Sequence, residues 1–375
     1  MHYRNFGRLD WQVSALGFGC MRLPVVDGDQ TRIDEPQATR MLHHAIDQGV
    51  NYVDTAYGYH GGHSEPFLGR ALQGGYRDKV HLATKLPYWE VETAADFDRI
   101  FHEQLARLQS ERLDFYLLHS LSEKPWHKLR DLGVLEWLER RLAEGRVGHV
   151  GFSFHDSFPV FQEIIDSFDR WTFCQIQYNY MDVEEQAGTK GLQYAAARGL
   201  AVVVMEPLLG GRLVKPPAAV QALWDGAPAQ RTPADWALQW LWSQPEVSVV
   251  LSGMSAMLQV QENIASASNP HALTAAELDL IARVRAQYQA LMPIHCTQCE
   301  YCQPCPNGLK IPRLFDLYNG GIMYNTLDEA RRTYRRIPAE EQADACAQCR
   351  QCEDICPQHI EICAWLERVH EQLST

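Results

Sequence analysis

No run in this chain approaches the ~18 consecutive apolar residues of a membrane span, so no transmembrane helix is expected. Met1-His2-Tyr3-Arg4-Asn5 lacks the basic stretch and following apolar core of an export signal, and the chain is expected to be cytoplasmic. Basic residues are in deficit: 34 Lys and Arg stand against 47 Asp and Glu, for a net charge of −13. That balance repels nucleic-acid phosphates and anionic lipid over most of a surface, which tells against nucleic acid and membrane as partners. Low-complexity tracts and repeats of solenoid period are missing as well. What remains is a 375-residue chain, 46% apolar and 22% charged, with enough hydrophobic content to bury a sizeable core. The length suits about two domains, or one barrel of roughly 250 residues with a smaller partner.

Between residues 15 and 253 short apolar runs alternate with longer segments of helical period, the pattern of repeated strand-helix units on a parallel sheet. Eight strands are expected: Ala15 to Cys20, Tyr52 to Ala56, Val80 to Lys85, Asp114 to His119, His149 to Phe154, Phe173 to Tyr178, Leu200 to Met205 and Val247 to Leu251. Segments such as Phe101 to Leu108 and Val134 to Leu142 place apolar residues three and four apart, as helices on a barrel exterior require. Eight units within about 250 residues point to an α/β fold of the (β/α)8 TIM-barrel type. An open doubly wound sheet would want a Gly-rich turn opening a helix after its first strand, whereas Gly17-Phe18-Gly19-Cys20 runs into Met-Arg-Leu-Pro. Helical periodicity returns from Ala275 to Met292 and composition changes at Pro293, giving expected domains of 1–292 and 293–375.

In such a barrel the active site lies at the C-terminal ends of the strands. Strand two ends in Asp54-Thr55-Ala56-Tyr57-Gly58-Tyr59, strand three in Thr84-Lys85, strand four in Leu118-His119 and strand five in Ser153. Singly, Asp54 fits a helix cap, Lys85 a side chain reaching to water and His119 a satisfied core histidine. Together in one barrel mouth they would be costly unless they served chemistry.

With Asp54, a Tyr five residues on (Tyr59), Lys85 after the next strand and His119 after the one following, the chain resembles the aldo-keto reductase family. The resemblance runs from Tyr3-Arg4-Asn5-Phe6-Gly7 and Val13-Ser14-Ala15-Leu16-Gly17 to Glu262-Asn263. It implies carbonyl reduction, or alcohol oxidation in reverse, with NADH or NADPH and a small carbonyl or alcohol substrate. Tyr59 would be the acid. A phenol of pKa about 10 is sluggish at neutral pH, and a nearby ammonium favours phenolate, so Lys85 is its natural partner, held by Asp54. His119 would orient the carbonyl oxygen or share its proton.

The resemblance further implies nicotinamide-carboxamide contacts from Ser153 and Gln175. Where the family commonly has Asn after that Ser, this chain has Phe154 and then His155; where it commonly stacks a Tyr, the chain has Met205. Met21, Pro207, Leu208 and Gly210 are implied along the cofactor, Gly253, Ser255 and Gln259 near its phosphates, and Glu262 and Asn263 on its adenine side. Met254, Ser255 and Gln259 stand where a 2′-phosphate would want Arg or Lys, which favours NADH and leaves both nucleotides open. Tyr57, Tyr88, Trp89, Trp126 and Tyr180 are candidates for an apolar pocket wall, against ordinary packing.

Of 11 cysteines, eight fall in two runs. Cys296-x2-Cys299-x2-Cys302-x2-Cys305-Pro306 is followed by Cys346-x2-Cys349-x2-Cys352-x3-Cys356-Pro357, and the second matches the bacterial ferredoxin run. Eight thiolates suit two 4Fe-4S clusters; a four-cysteine zinc site is the alternative use of Cys-x2-Cys pairs. With a helical stretch around Leu314, Phe315, Leu317 and Tyr318 between the runs, the region resembles helical dicluster ferredoxin modules. In two-cluster ferredoxins the fourth Cys of a run ligates the other cluster. The resemblance therefore implies one cluster on Cys296, Cys299, Cys302 and Cys356, the other on Cys346, Cys349, Cys352 and Cys305. Cys20 and Cys174 read as strand packing, and Cys363 stays outside both runs.

Three functions are open on the sequence. The first is a carbonyl reductase exchanging electrons with a redox protein partner through its clusters, which calls for a two-to-one-electron splitter such as a flavin, of which no signature is evident. The second is a plain reductase with structural or oxygen-sensing clusters. The third is a non-enzymatic nicotinamide sensor, which would not need the proton donor Tyr59.

Overall fold

The computed structural model describes residues 1–269 and 272–375. β1 (Tyr3–Asn5) and β2 (Gln12–Ser14) pair as an antiparallel hairpin. β3 (Leu16–Gly19), β4 (Tyr52–Asp54), β5 (His81–Leu86), β6 (Leu113–Leu121), β7 (Val147–Phe154), β8 (Trp171–Gln177), β9 (Ala201–Met205) and β10 (Val247–Gly253) close a parallel barrel, with β10 hydrogen-bonded to both β9 and β3. Each expected strand falls on one barrel strand. The hairpin lies outside the sequence expectation because its three-residue strands are too short to show alternation.

Helices α1 (Glu35–Asp47), α2 (Ser64–Ala71), α3 (Ala95–Leu108), α4 (Glu123–Asp131), α5 (Val134–Ala143), α6 (Phe158–Asp166), α7 (Gly188–Ala197), α8 (Ala218–Asp225), α9 (Pro233–Trp242) and α10 (Met257–Ser268) follow in chain order. α1 starts where it does because the Asp34 carboxylate accepts from the Gln37 N–H at 3.1 Å, with Pro36 already holding helical φ. Its Met41, Leu42 and Ala45 are buried together, the apolar stripe of an outer barrel helix.

Period-two alternation divides each strand between two cores. Val53, Leu82, Leu86, Tyr116, Leu118, Cys174, Ile176 and Val202 face the helical layer. Tyr52, Ala83, Phe115, Leu117, Phe173, Ala201, Val203, Val249 and Leu251 fill the barrel interior. Cys20 and Cys174 are fully buried in the helix-facing core, as packing residues. Phe6 from the hairpin joins the interior, with its ring 4.9 Å from Phe115 and 5.7 Å from Phe173. The Trp11 ring packs at a tilt against His81, the first residue of β5, with centroids 4.1 Å apart. The hairpin therefore plugs the N-terminal end of the barrel. Gly7 permits this: its φ is +54°, and a Cβ there would lie 2.4 Å from the Ala201 nitrogen.

By packing the chain divides into Met1–Pro207 with Asp235–Leu273, and Leu208–Ala234 with Thr274–Thr375. The second unit adds α11 (Ala275–Ala290), α12 (Ile311–Met323), α13 (Leu327–Tyr334), α14 (Gln351–Asp354) and α15 (Ile362–Leu373). Ile294, Leu309, Ile311, Leu314, Phe315, Tyr334, Leu366 and Val369 form its core. Pro293, where composition changes, lies inside this unit rather than at its edge. The reason is tertiary: α11 packs on α8, Arg231 pairs with Glu277 at 2.6 Å, and Arg212 reaches Glu329 at 3.7 Å. Among the described residues no helix is long and apolar enough to cross a membrane.

Candidate active site and cysteine centres

The same alternation that fills the barrel decides what stands at its open end. Continuing inward from Tyr52, Ala83, Phe115 and Leu117, and from Phe173 and Val203, the next inward positions are Asp54, Lys85, His119, Gln175 and Met205. Ser153 is the register partner of Gln175 across β7 and β8. In β6 the pairing with β7 slips between Leu118 and Leu121, and Ser120 takes a φ of +54°. This bulge turns the Ser120 N–H onto the Ser153 Oγ at 2.7 Å, coupling the His119 segment to β7.

Lys85 is buried and donates to Asp54 Oδ1 at 2.6 Å and to the Thr55 carbonyl at 2.7 Å. Its ammonium lies 5.1 Å from the centroid of the Tyr59 ring, and that ring stands edge-on to His119 at 6.0 Å. Tyr59 is held by its neighbour. His60, itself at φ +54°, accepts the Leu23 N–H on Nε2 at 3.2 Å, so its proton sits on Nδ1 and is donated to the Gln30 carbonyl at 2.8 Å.

Burial opposes the charged form of Lys85, but the Asp54 carboxylate and Tyr59 outweigh it and hold the ammonium above its ordinary pKa. Burial pushes the Asp54 carboxyl up, and the Lys85 charge offsets part of that. For Tyr59, burial raises the phenol above 10 while Lys85 draws it down and Asp54 pushes it up. The expected lowering by Lys85 is therefore present as a contribution, but desolvation exceeds it. His119 is kept well below 6.5 by burial and then by Lys85, so its imidazole is neutral.

A second buried network stands behind Lys85. Glu65 accepts from Thr84 Oγ1 at 2.6 Å, from Gln104 Nε2 at 2.7 Å and from Arg107 Nη1 at 3.3 Å. The Gln104 amide also donates to the Lys85 carbonyl at 3.0 Å, and Tyr116 donates to Gln104 Oε1 at 2.7 Å. Glu65 and Gln104 carry no signal in the sequence, since each reads as an ordinary polar residue of α2 or α3.

The cofactor candidates divide. Gln175 Oε1 and His119 Nδ1 are buried and make no hydrogen bond to protein, which suits groups facing a ligand at the barrel mouth. Gln175 Nε2 lies 3.6 Å from the Met205 sulfur. Asn263 donates to Ser252 Oγ at 3.0 Å, and Gln259 Oε1 accepts the Ser255 and Ala256 N–H groups at 2.8 and 3.2 Å at the start of α10. Met21, Gly253, Ser255 and Glu262 are exposed; Met254 is buried packing. Pro207 closes the barrel unit, whereas Leu208 and Gly210 begin the segment that packs with the other. Arg22 was not singled out by the sequence; its side chain lies where a Cβ on Gly253 would fall, at 2.8 Å. Phe154 points away from the mouth into a cluster with Phe161 at 5.0 Å. Of the five pocket aromatics, Trp126 and Tyr180 are buried packing, while Trp89 is 43% exposed with its ring 5.0 Å from His119.

In the second unit the cysteines line two adjoining cavities. One holds Cys296, Cys299, Cys302 and Cys356, with Phe315 and Ile311 in its wall. The other holds Cys305, Cys346, Cys349 and Cys352, with Cys302 at its edge and Cys363 as a further thiol. The runs share a local geometry: Gln298 and Glu300 have φ of 54° and 61°, Gln348 and Arg350 51° and 58°. This left-handed backbone directs the Gln298 N–H to Cys296 Sγ at 3.5 Å and the Gln348 N–H to Cys346 Sγ at 3.4 Å. N–H groups aimed at sulfur favour a thiolate, the form a cluster needs. Among the described residues no three His, Cys, Asp or Glu side chains converge as on one metal ion; in a cluster each thiolate takes its own iron. Each cavity offers at least the four thiols that arrangement needs.

A barrel with this mouth and this appended module defines an oxidoreductase with iron-sulfur centres. The chain belongs to the aldo/keto reductase family, whose model matches residues 15–286, and a 4Fe-4S dicluster domain matches residues 295–361. It is 29% identical over 282 residues to 6-dehydroglucose reductase of Novosphingobium aromaticivorans, covering 69% of this chain and 88% of that protein. It is 26% identical over 291 residues to L-galactose dehydrogenase of Arabidopsis thaliana, covering 72% and 89%. The holo structure of aldo-keto reductase AKR11C1 from Bacillus halodurans superposes with a TM-score of 0.65 at 28% identity, covering 76% of this chain and 96% of that one. The protein is thus an aldo-keto reductase-type oxidoreductase with a ferredoxin-like module; the first domain implies NAD(P)H and the second two 4Fe-4S clusters.

Proposed function

We propose that the chain interconverts a small aldehyde or ketone and its alcohol, with Tyr59 as proton donor, and that its clusters pass single electrons between a redox partner protein and the nicotinamide pool, the two-electron hydride being split into one-electron steps by a bound flavin. The observation that carries this reading is the buried Lys85–Asp54 pair at 2.6 Å beside Tyr59 and His119. A buried ion pair costs desolvation that hydrophobic residues would not, so its retention at a barrel mouth supports a chemical role. A bound nicotinamide supplies the hydride.

The chain's own residues do the rest. Ser153 and Gln175 hold the carboxamide: Ser153 keeps a hydroxyl proton to donate while accepting from Ser120, and Gln175 Oε1 accepts. Met205 packs its thioether beside them. Neutral His119 and Tyr59 converge on the substrate oxygen. Tyr59 gives the proton, and the adjacent ammonium stabilises the phenolate left behind. Trp89 offers a flat face next to His119, suited to the ring of a sugar, the class named in both 6-dehydroglucose reductase and L-galactose dehydrogenase. Arg22, beside Gly253, supplies a cation where the sequence alone offered none for a cofactor phosphate.

The test is anaerobic titration of iron-quantified protein with NADH and then NADPH, following cluster bleaching and electron paramagnetic resonance. Clusters reduced by either nucleotide support one electron-transfer unit and direct the search to a flavin and a protein partner. Clusters that stay oxidised beside active carbonyl reduction leave the coupling refuted and the reductase standing.

A further inference from the structure

The two cysteine sites are alike in their ligand runs and unlike in one neighbour. Both begin with a cysteine whose sulfur accepts the N–H two residues on, at 3.5 Å in one and 3.4 Å in the other. The cavity of Cys305, Cys346, Cys349 and Cys352 also contains Cys363, a ninth sulfur, 4.0 Å from Cys346 Sγ. Cys363 lies beyond the matched dicluster region, which ends at residue 361. The cavity of Cys296 is walled near the same helix by Ile360 and Ile362.

Cys363 is fixed from two sides. It is buried in the first turn of α15, and its backbone N–H donates to Glu353 Oε1 at 2.8 Å. Glu353 directly follows the thiol of Cys352, so the position of Cys363 is tied to the same ligand loop. Once Cys346 is bound to iron as a thiolate it has no proton to give. The sulfur-sulfur contact can then run in one direction only, from the Cys363 S–H to Cys346 Sγ.

Resting on the cluster assignment above, we infer that Cys363 is a positioning residue that donates a hydrogen bond to the Cys346 thiolate and makes the two clusters unequal in reduction potential. A donor at a ligand sulfur withdraws electron density and favours the more negative, reduced cluster. The cluster on Cys346 is therefore the more readily reduced of the two in this respect, and Cys363 biases an added electron toward it.

Full-length holoprotein and its Cys363→Ala, Cys363→Val and Cys363→Ser variants are titrated with dithionite under argon, with iron and sulfide counted in each. Ala and Val should keep the full iron content and move the midpoint of one cluster to more negative potential while the other stays in place. Ser, which retains a donor, should restore most of the shift. Exchange into D2O should reveal, by electron-nuclear double resonance, a deuteron coupled to the reduced cluster that vanishes in Ala. Unmoved midpoints in iron-replete Ala and Val variants overturn the inference and leave the clusters intact. Loss of half the iron in Ala, Val and Ser alike overturns it by making Cys363 a structural support or a ligand. Unmutated protein that holds no second cluster overturns the cluster assignment itself, and this inference with it.

Discussion

At the scale of single residues, the proposed chemistry of the mouth rests on the ionisable Asp54, Lys85 and Tyr59 and on the neutral imidazole of His119. Replacing Tyr59 by Phe removes the transferable proton and nothing from the ring's packing. Carbonyl reduction should be abolished while nucleotide affinity, read by quenching of tryptophan fluorescence, changes little; undiminished turnover would remove Tyr59 from the mechanism. The pH profile follows from the same group. With Tyr59 as the proposed donor, reduction requires the protonated phenol, which burial holds above its ordinary value of 10. Reduction should therefore be flat through neutrality and fall only as pH rises past that value, while alcohol oxidation, which needs the phenolate, should still be climbing there. His119 stays neutral because its pKa is depressed by burial and by Lys85, and it should add no limb to the profile above pH 6.5. A reduction rate that halves between pH 6 and 8 would contradict both assignments.

At the scale of elements, the hairpin β1–β2 and the bulge in β6 set the shape of the site from opposite ends. The hairpin seals the lower end with Phe6, whose ring touches Trp11, Tyr52, Phe115 and Phe173. Truncating a fully enclosed aromatic leaves a cavity the rigid strands cannot close, so Phe6→Ala should cost about 3–5 kcal/mol in denaturant unfolding. A loss below about 1 kcal/mol would mean the plug is dispensable. The eight strands of the barrel were legible in the sequence because each is a short apolar run between turn signals. The bulge was not, because the strand expected from the sequence stops at His119 and only the pairing with β7 reveals that it continues to Leu121 with a slip at Ser120.

At the scale of the whole molecule, cysteines far apart in sequence share a cavity. Cys305 closes the first run, yet it lines the cavity of Cys346, Cys349 and Cys352; Cys356 closes the second and lines that of Cys296, Cys299 and Cys302. Cys305→Ser and Cys352→Ser should therefore remove the same cluster, each lowering iron by about half and deleting the same paramagnetic signal. If Cys305→Ser instead deletes the signal that survives in Cys352→Ser, each run holds its own cluster. Pro293 marks a change of residue usage between the two matched family regions, while by packing α11 and the segment 208–234, joined by the Arg231–Glu277 pair, belong with the unit that carries the cysteines.

The sequence by itself determined the strand count, the order of Asp54, Tyr59, Lys85 and His119 along the chain, and the eight clustered thiols, because alternation, strand ends and Cys spacing are local patterns. Only the tertiary structure decided the partners of those groups. Glu65 and Gln104 reach Lys85 through contacts 19 to 39 residues apart. Met254 is buried in the core, and Arg22 lies against Gly253. Burial, which raises the Tyr59 phenol despite the ammonium beside it, is a property of everything packed around the site and cannot be read from any one segment.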